Sequence, residues 1–264
     1  MAVARKCATM SHCYVSRARL APGLVALQYP AMKIPMRLTA AHVRLVHREI
    51  PDPGPLPGMD HFSDDDYESH IGQFLAKRPD GPVLVFAYGS LIWKPEFQPV
   101  SVARAIALDW HRSFCLRVAR FRGTLDVPGL MMQIDRGGTC EGVVHEVPGD
   151  AVLDTLHLLW RREMTVKPPS NLPRWIEVEI SGRPARAIAF TANHASPNYV
   201  GALDTAMVAG RLAMACGHWG SGAEYLLQTV TALEREGIHD PYLWDLQERV
   251  AAAIEQRFPG ACLV

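Results

Sequence analysis

Two short stretches of this chain carry residue types that could do chemistry. The first is Tyr88-Gly89-Ser90-Leu91-Ile92-Trp93, where an apolar run ends in a small-residue turn. Glycine there lets a ligand approach the backbone, and successive amide N–H groups form a concavity for a carboxylate or a developing oxyanion. A plain hairpin turn is the other reading of the same residues. The second stretch is Trp160-Arg161-Arg162-Glu163-Met164. Glu163 follows the apolar Leu158-Leu159-Trp160 and precedes Thr165-Val166-Lys167-Pro168-Pro169. Burial in such surroundings raises a carboxylate's pKa, which suits a general acid/base. A solvated ion pair with Arg161 or Arg162 is the alternative.

Other chemistries have weaker support. Ser90 lacks the flanking glycines of a Gly-x-Ser-x-Gly elbow. The six cysteines contain no C-x-x-C pair, and the eleven histidines contain no H-E-x-x-H pattern. Gly137-Gly138 lacks the spacing of a dinucleotide fingerprint or a P-loop. No cofactor and no metal is therefore expected. His145 alternates within a strand-like run and reads as structural, while His218-Trp219-Gly220 sits in a loop that could line a cleft.

The elements that must position the two stretches follow from periodicity. Val83 to Tyr88 is a continuous apolar run of β formers, a buried strand that delivers the Gly89-Ser90 turn. Further β-like segments are Ala103–Leu108, Phe114–Val118, Leu130–Ile134 and Cys140–Val147, separated by Gly, Pro and Asp. Asp150 can cap a helix with Leu153, Leu156, Leu159 and Trp160 on its apolar face, ending at Glu163. Strands around Ile176–Ile180 and Ala185–Thr191 come next, then helices over about 203–216 and 223–236. A last helix opens at Asp240-Pro241, an N-cap followed by proline at the first helical position. Strands in the middle and helices at the end argue an α+β fold, not alternating βαβ units.

Upstream, a helix is expected over about 39–49. Pro51 to Gly58, with four prolines and two glycines, then forms an extended linker. Ser63 and Asp66 make a capping box for a second helix reaching about Leu75. Residues 1–35 read as a disordered extension ahead of a functional start at Met36, because Pro22 and Gly23 interrupt the stretch that a targeting peptide would need. The organisation expected is an extension over 1–35, a helical leader and proline linker over 36–81, and the main domain over 82–258.

Bulk composition narrows the partners. Lys plus Arg equals Asp plus Glu at 27 each, which gives no electrostatic reason to expect nucleic acid or an anionic membrane surface. No apolar run approaches the roughly 20 residues of a membrane span. Scattered cysteines in a chain of 264 residues read as thiols of a reducing cytosol, so a cytoplasmic protein is expected.

Taken together, these pieces resemble the ChaC-type gamma-glutamylcyclotransferases. The resemblance is carried by Phe86-Ala87-Tyr88-Gly89-Ser90-Leu91-Ile92-Trp93-Lys94-Pro95, Phe121-Arg122-Gly123-Thr124, Pro128-Gly129-Leu130 and Gly138-Thr139-Cys140-Glu141-Gly142-Val143. It continues in Arg162-Glu163-Met164, Asn198-Tyr199-Val200-Gly201, Glu224-Tyr225-Leu226-Leu227 and Gly237-Ile238-His239-Asp240-Pro241-Tyr242-Leu243. These segments span about residues 82–250 in the family's order, and the stretch from Leu38 to Tyr67 looks like the leader of bacterial members. The resemblance implies a small mixed β-barrel with surrounding helices and an enzyme that converts glutathione to 5-oxoproline and Cys-Gly. It implies that Glu163 is the catalytic acid/base and that Tyr88, Gly89, Ser90, Leu91, Ile92 and Trp93 form the gamma-glutamyl-binding loop. Tyr225 would line the pocket, and Arg122 would hold a substrate carboxylate. It implies no metal and a monomer or weak dimer. One departure stands out. Many members have a Gly-Gly-Tyr turn after the glutamate, where this chain reads Thr165-Val166-Lys167-Pro168-Pro169-Ser170. That change bears on substrate choice and keeps open a cyclotransferase for other gamma-glutamyl amino acids or amines. A separate alternative is a non-catalytic sensor of a gamma-glutamyl metabolite that keeps the pocket, against which the retained Glu163 argues.

Overall fold

The structure, a computed structural model, describes residues 35–262. The extension expected over 1–35 lies outside the described residues, apart from Pro35. In chain order the elements are α1 (Ala40–Val46), β1 (Asp60–His61), α2 (Asp64–Leu75), β2 (Leu84–Ala87) and α3 (Ser90–Trp93). They continue with β3 (Val102–Val118), β4 (Gly129–Glu146), α4 (Val152–Glu163), β5 (Val166–Lys167), β6 (Asn171–Ile180) and β7 (Arg183–Ala192). The chain closes with α5 (Thr205–Leu212), β8 (Cys216–Gly217), β9 (Gly220–Ser221), α6 (Gly222–Arg235) and α7 (Pro241–Arg257).

Five strands close a barrel in the order β2-β4-β3-β6-β7, with β2 pairing back onto β7. Most pairs are antiparallel, while β2–β7 and β4–β7 are parallel, so the barrel is mixed. A five-stranded barrel has a narrow interior that small side chains must help to fill. Ala87, Ala105, Ala107, Ala187 and Ala189 are accordingly buried beside Val85, Phe86, Ile134, Ile188 and Phe190. Val85, Phe86 and Ala87 are fully buried in succession, which explains why β2 reads as a continuous apolar run and not an alternating one.

The middle of the chain departs from the sequence reading. Ala103–Leu108 and Phe114–Val118 are parts of one strand, β3, and Leu130–Ile134 and Cys140–Val147 are parts of its partner, β4. Asp109 and the Gly137-Gly138 pair, which look like breakers, sit inside this long hairpin at positive φ. The register shifts between Leu108 and Trp110 mark a bulge, which bends a strand without ending it. The turn after β2 is also not a hairpin: Ser90 opens the single helical turn α3.

Helices cover the outside. Asp240 caps α7 through its carboxylate, which accepts from Leu243 N at 2.9 Å, and Pro241 follows at the first helical position. Helix α4 starts at Val152 after a short 3₁₀ turn that includes Asp150, so Asp150 is not its N-cap. Leu156, Leu159 and Trp160 are buried as expected, but Leu153 is 57% exposed and lies off the packed face. The leader is part of the fold: α1 packs on α6 and α7, and α2 packs on α4. Helix α1 ends at Val46, sooner than expected, before the proline segment begins.

Candidate active site

Strand β2 carries the Tyr88 to Leu91 turn to one end of the barrel, and α4 brings Glu163 to the same end. The two stretches meet in a narrow inner pocket of about 40 Å³, lined by Tyr88, Gly89, Ser90, Leu91, Gln133, Glu163 and Tyr225, with Met131, Met132 and Phe190. Ser90, Met131 and Tyr225 also line a wide outer cavity of about 680 Å³, so the two spaces adjoin. Trp93 and Arg122 lie on the outer wall. Ile92 lines neither cavity; its side chain packs against the core, and its amide donates to Gly89 O at 2.9 Å. Its place in the expected binding loop is structural.

The Glu163 side chain is 19% exposed, and each carboxylate oxygen has one named neighbour. Asn171 Nδ2 donates to Oε2 at 3.0 Å, and Arg162 Nε approaches Oε1 at 3.2 Å. Burial pushes the carboxyl pKa up, and the Arg162 charge and the Asn171 hydrogen bond pull it back only partly. The two readings of the sequence therefore coexist: an ion pair is present, and desolvation still dominates.

Arg162 does more than pair with its neighbour. Its Nη2 donates to Ser90 Oγ at 2.7 Å, and its Nη1 donates to Lys94 O at 2.6 Å and Glu96 Oε1 at 2.9 Å. One guanidinium thus clips the end of α4 to α3 and to the segment after it. A planar five-donor fork suits this task and a lysine does not.

The turn is also held from behind. Arg112 Nε donates to Tyr88 O at 2.9 Å, while its Nη1 donates to Asp240 Oδ2 at 2.6 Å. His145 Nε2 donates to Leu91 O at 3.1 Å, and burial lowers the His145 pKa, which keeps the ring neutral. Tyr88 itself points into the barrel, where its hydroxyl donates to Phe190 O at 2.7 Å and reaches Gln133 Oε1 at 3.0 Å.

Tyr225 on α6 closes the pocket. A Cβ added to Gly89 would stand 2.7 Å from the Tyr225 hydroxyl and 3.2 Å from Met132 Cε, so glycine is required for this approach. Burial pushes the Tyr225 phenol up to about 12, which keeps it a neutral donor at ordinary pH. The Arg122 guanidinium lies 5.4 Å from the Tyr225 ring centroid. Its Nη1 donates to Ser221 O at 2.9 Å and Glu224 Oε2 at 3.1 Å, so a carboxylate of the protein already faces it.

The segment after Glu163 is braced by the leader. Strand β5 pairs with β1, His61 Nδ1 donates to Thr165 O at 2.8 Å, and Tyr67 donates to Met164 O at 2.9 Å. Sequence reasoning missed Asn171, Gln133 and the bridging role of Arg162. Gln133 left one signal, a polar residue inside an otherwise apolar strand segment; Asn171 left none. No group of three or more His, Cys, Asp or Glu residues with metal-site geometry occurs among the described residues.

Residues 83–253 match the family described as ChaC-like protein. The chain is 36% identical over 191 residues to the glutathione-specific gamma-glutamylcyclotransferase of Escherichia coli K12, covering 72% of this chain and 82% of that protein. It is 28% identical over 177 residues to glutathione-specific gamma-glutamylcyclotransferase 1 of Danio rerio, covering 64% and 89%. In fold it is similar to the crystal structure of the glutathione-specific cyclotransferase from yeast, with a TM-score of 0.59 at 21% identity over 66% of this chain and 97% of that one. The family match over residues 83–253 and the identity to the Escherichia coli relative show that the chain belongs to the ChaC-like protein family.

Proposed function

We propose that this protein is a glutathione-specific gamma-glutamylcyclotransferase, releasing 5-oxoproline and Cys-Gly. The observation that carries the reading is the shared inner pocket: a carboxyl group with a raised pKa beside the glycine turn and a neutral phenol. The substrate supplies its own nucleophile. The α-amine of the glutamyl unit attacks its own γ-carbonyl carbon, a five-membered lactam closes, and the C–N bond to cysteine breaks. Held in a ring-ready shape, such an intramolecular attack reaches effective molarities of roughly 10⁵–10⁸ M.

The protein's tasks are to fold the substrate, move protons and stabilise the oxyanion. Glu163 takes the proton from the ammonium and returns one to the departing amine. A carboxylate near the ordinary value of 4.5 would be a poor base for an ammonium, so the upward shift favours this role. The amides of Gly89, Ser90 and Leu91 hold the gamma-glutamyl unit, since the first amides of a helix have no intrahelical acceptor. The Tyr225 hydroxyl is a further donor toward the same space. Arg162 and Asn171 fix the Glu163 carboxylate, and Arg112 and His145 fix the turn. Trp93 and Arg122 form the outer wall that meets the leaving dipeptide.

Catalysis belongs to residues 82–258, and the leader over 36–81 acts as a brace for the segment after Glu163. The enzyme works as a monomer or weak dimer in the reducing cytosol, consistent with the buried, unbridged thiols Cys115, Cys140 and Cys216. No helix among the described residues is long and apolar enough to cross a membrane.

The test is to incubate purified protein with glutathione and score 5-oxoproline and Cys-Gly together. Equal amounts of both are expected. Turnover of gamma-glutamyl-alanine but not of glutathione would shift the assignment to a broader cyclotransferase. A thermal shift with glutathione and no product would mark a sensor.

A further inference from the structure

Among the cations that line the outer cavity, Arg120 is one whose side chain the turn, the glutamate and the Tyr225 wall do not employ. Arg120 lies in the loop between β3 and β4, lines the cavity, and is 21% exposed. The leader reaches across and engages it side-on. Arg120 Nε donates to Asp52 Oδ1 at 3.0 Å and Nη2 donates to Asp52 Oδ2 at 2.8 Å. The Phe121 ring lies beneath, with its centroid 4.9 Å from Arg120 Cζ. Phe121 is in turn packed on Trp219, whose centroid is 4.3 Å away. A guanidinium has five N–H donors, and Asp52 takes only the Nε edge. Both Nη1 hydrogens and one on Nη2 are left, and these form the second fork that matches a carboxylate bidentately.

The other cations at the cavity differ in how they are held. Lys94 pairs with Glu96 at 3.4 Å, and Arg161 is 47% exposed and donates to the leader's Asp64 Oδ1 through Nη1 alone, at 2.7 Å. Arg162 uses Nε, Nη1 and Nη2 on the turn and on Glu163. Arg122 is buried and faces Glu224. Arg120 is gripped by Asp52 at two points, Nε and Nη2, and is less exposed than Arg161, which fixes its guanidinium plane and leaves the remaining charge-assisted fork free for a ligand.

We propose that Arg120, held in place by Asp52 of the leader, binds the terminal carboxylate of the dipeptide that leaves the gamma-glutamyl unit. This rests on the cyclotransferase reading above. Ser90 of the turn and Arg120 line the same outer cavity, and the two residues beyond the gamma-glutamyl unit span about 7 Å when extended. The enzyme would then select gamma-glutamyl peptides ending in a free carboxylate over their amides and esters. The leader, which lies outside the span matched by the family, would be part of the specificity apparatus.

The experiment compares glutathione with its glycine carboxamide, in the full-length wild type and in Arg120→Ala and Asp52→Asn. The readout is the ratio of kcat/KM for the acid to that for the amide, which does not depend on the folded fraction of each preparation. The wild type is expected to favour the acid by about 10- to 100-fold, carried by KM. Arg120→Ala should bring the ratio close to one, and Asp52→Asn should give a ratio between these. Equal ratios in wild type and Arg120→Ala, or a wild type that does not distinguish acid from amide, would overturn the proposal while leaving cyclotransferase activity in place. A wild type that releases no 5-oxoproline from either compound defeats the parent reading and this one with it.

Discussion

The inner pocket and the outer cavity adjoin, yet they treat charge in opposite ways. In the inner pocket Glu163 is withdrawn from water, and burial outweighs the help of Arg162 and Asn171, so the proton is held more tightly. At the outer rim, Arg120 meets Asp52, and the hydrogen bonds from Arg120 hold the Asp52 carboxyl below its usual range. Under the roles proposed above, the charge that gains and loses a proton is kept where ionisation costs free energy, and the charge that stays fixed is kept where a partner and water stabilise it. Proximity to an arginine therefore does not by itself set a carboxylate's role.

The sharpest way to break this contrast is Glu163→Gln. Loss of a general acid/base should lower kcat about 10²- to 10⁴-fold, read as 5-oxoproline release, with the fold retained by circular dichroism. The same residue sets a pH dependence. Its folded pKa lies above its unfolded value, so its contribution favours the fold at low pH and is lost as pH rises through the folded pKa. The thermal midpoint of Glu163→Gln relative to wild type should therefore rise between acidic and neutral pH. The wild-type kcat/KM should fall on the acid side at a pH above 4.5, the ordinary carboxyl value. A limb at or below that value would contradict a raised pKa.

Arg112→Ala probes the buried pair behind the turn. The Arg112 side chain is 2% exposed, and its loss strands Asp240 and the Tyr88 carbonyl. A destabilisation of about 3–5 kcal/mol is expected by urea titration. Gly89→Ala should reduce kcat through the clash with Tyr225, and adding Tyr225→Phe should recover part of it, because the phenol oxygen is the nearest atom. Non-additivity in that cycle is the measurement. The smallest effect belongs to Ser63→Ala in the leader, a residue that lines neither cavity. Loss of the capping hydroxyl on Asp66 N should cost about 0.5–2 kcal/mol and leave kcat unchanged.

Local signals in the sequence were strong where burial or capping imposes a pattern. Strand β2 is buried on both faces and so reads as an unbroken apolar run, and Asp240-Pro241 marks the start of α7 by its capping chemistry. The long hairpin was not legible as two strands, because Asp109 and Gly137-Gly138 have the composition of breakers and only the paired strand shows that they accommodate bulges. The meeting of Glu163 with the glycine turn was inferred from the family resemblance, and no local pattern encodes it. The same holds for Arg162 and Ser90, 72 positions apart, and for Arg120 and Asp52, 68 apart. Such pairs depend on how the barrel closes, which neither propensity nor periodicity specifies.

Asp240 has two duties, the cap of α7 and the anchor of Arg112, whose other end grips the Tyr88 carbonyl. During synthesis, a chain emerging from the ribosome has Glu163 and its glycine turn long before that aspartate appears. The support for the turn is completed only when the final helix begins to form. A prematurely terminated product lacking the last helix would leave the Arg112 guanidinium without its acid and the glycine turn without its anchored brace.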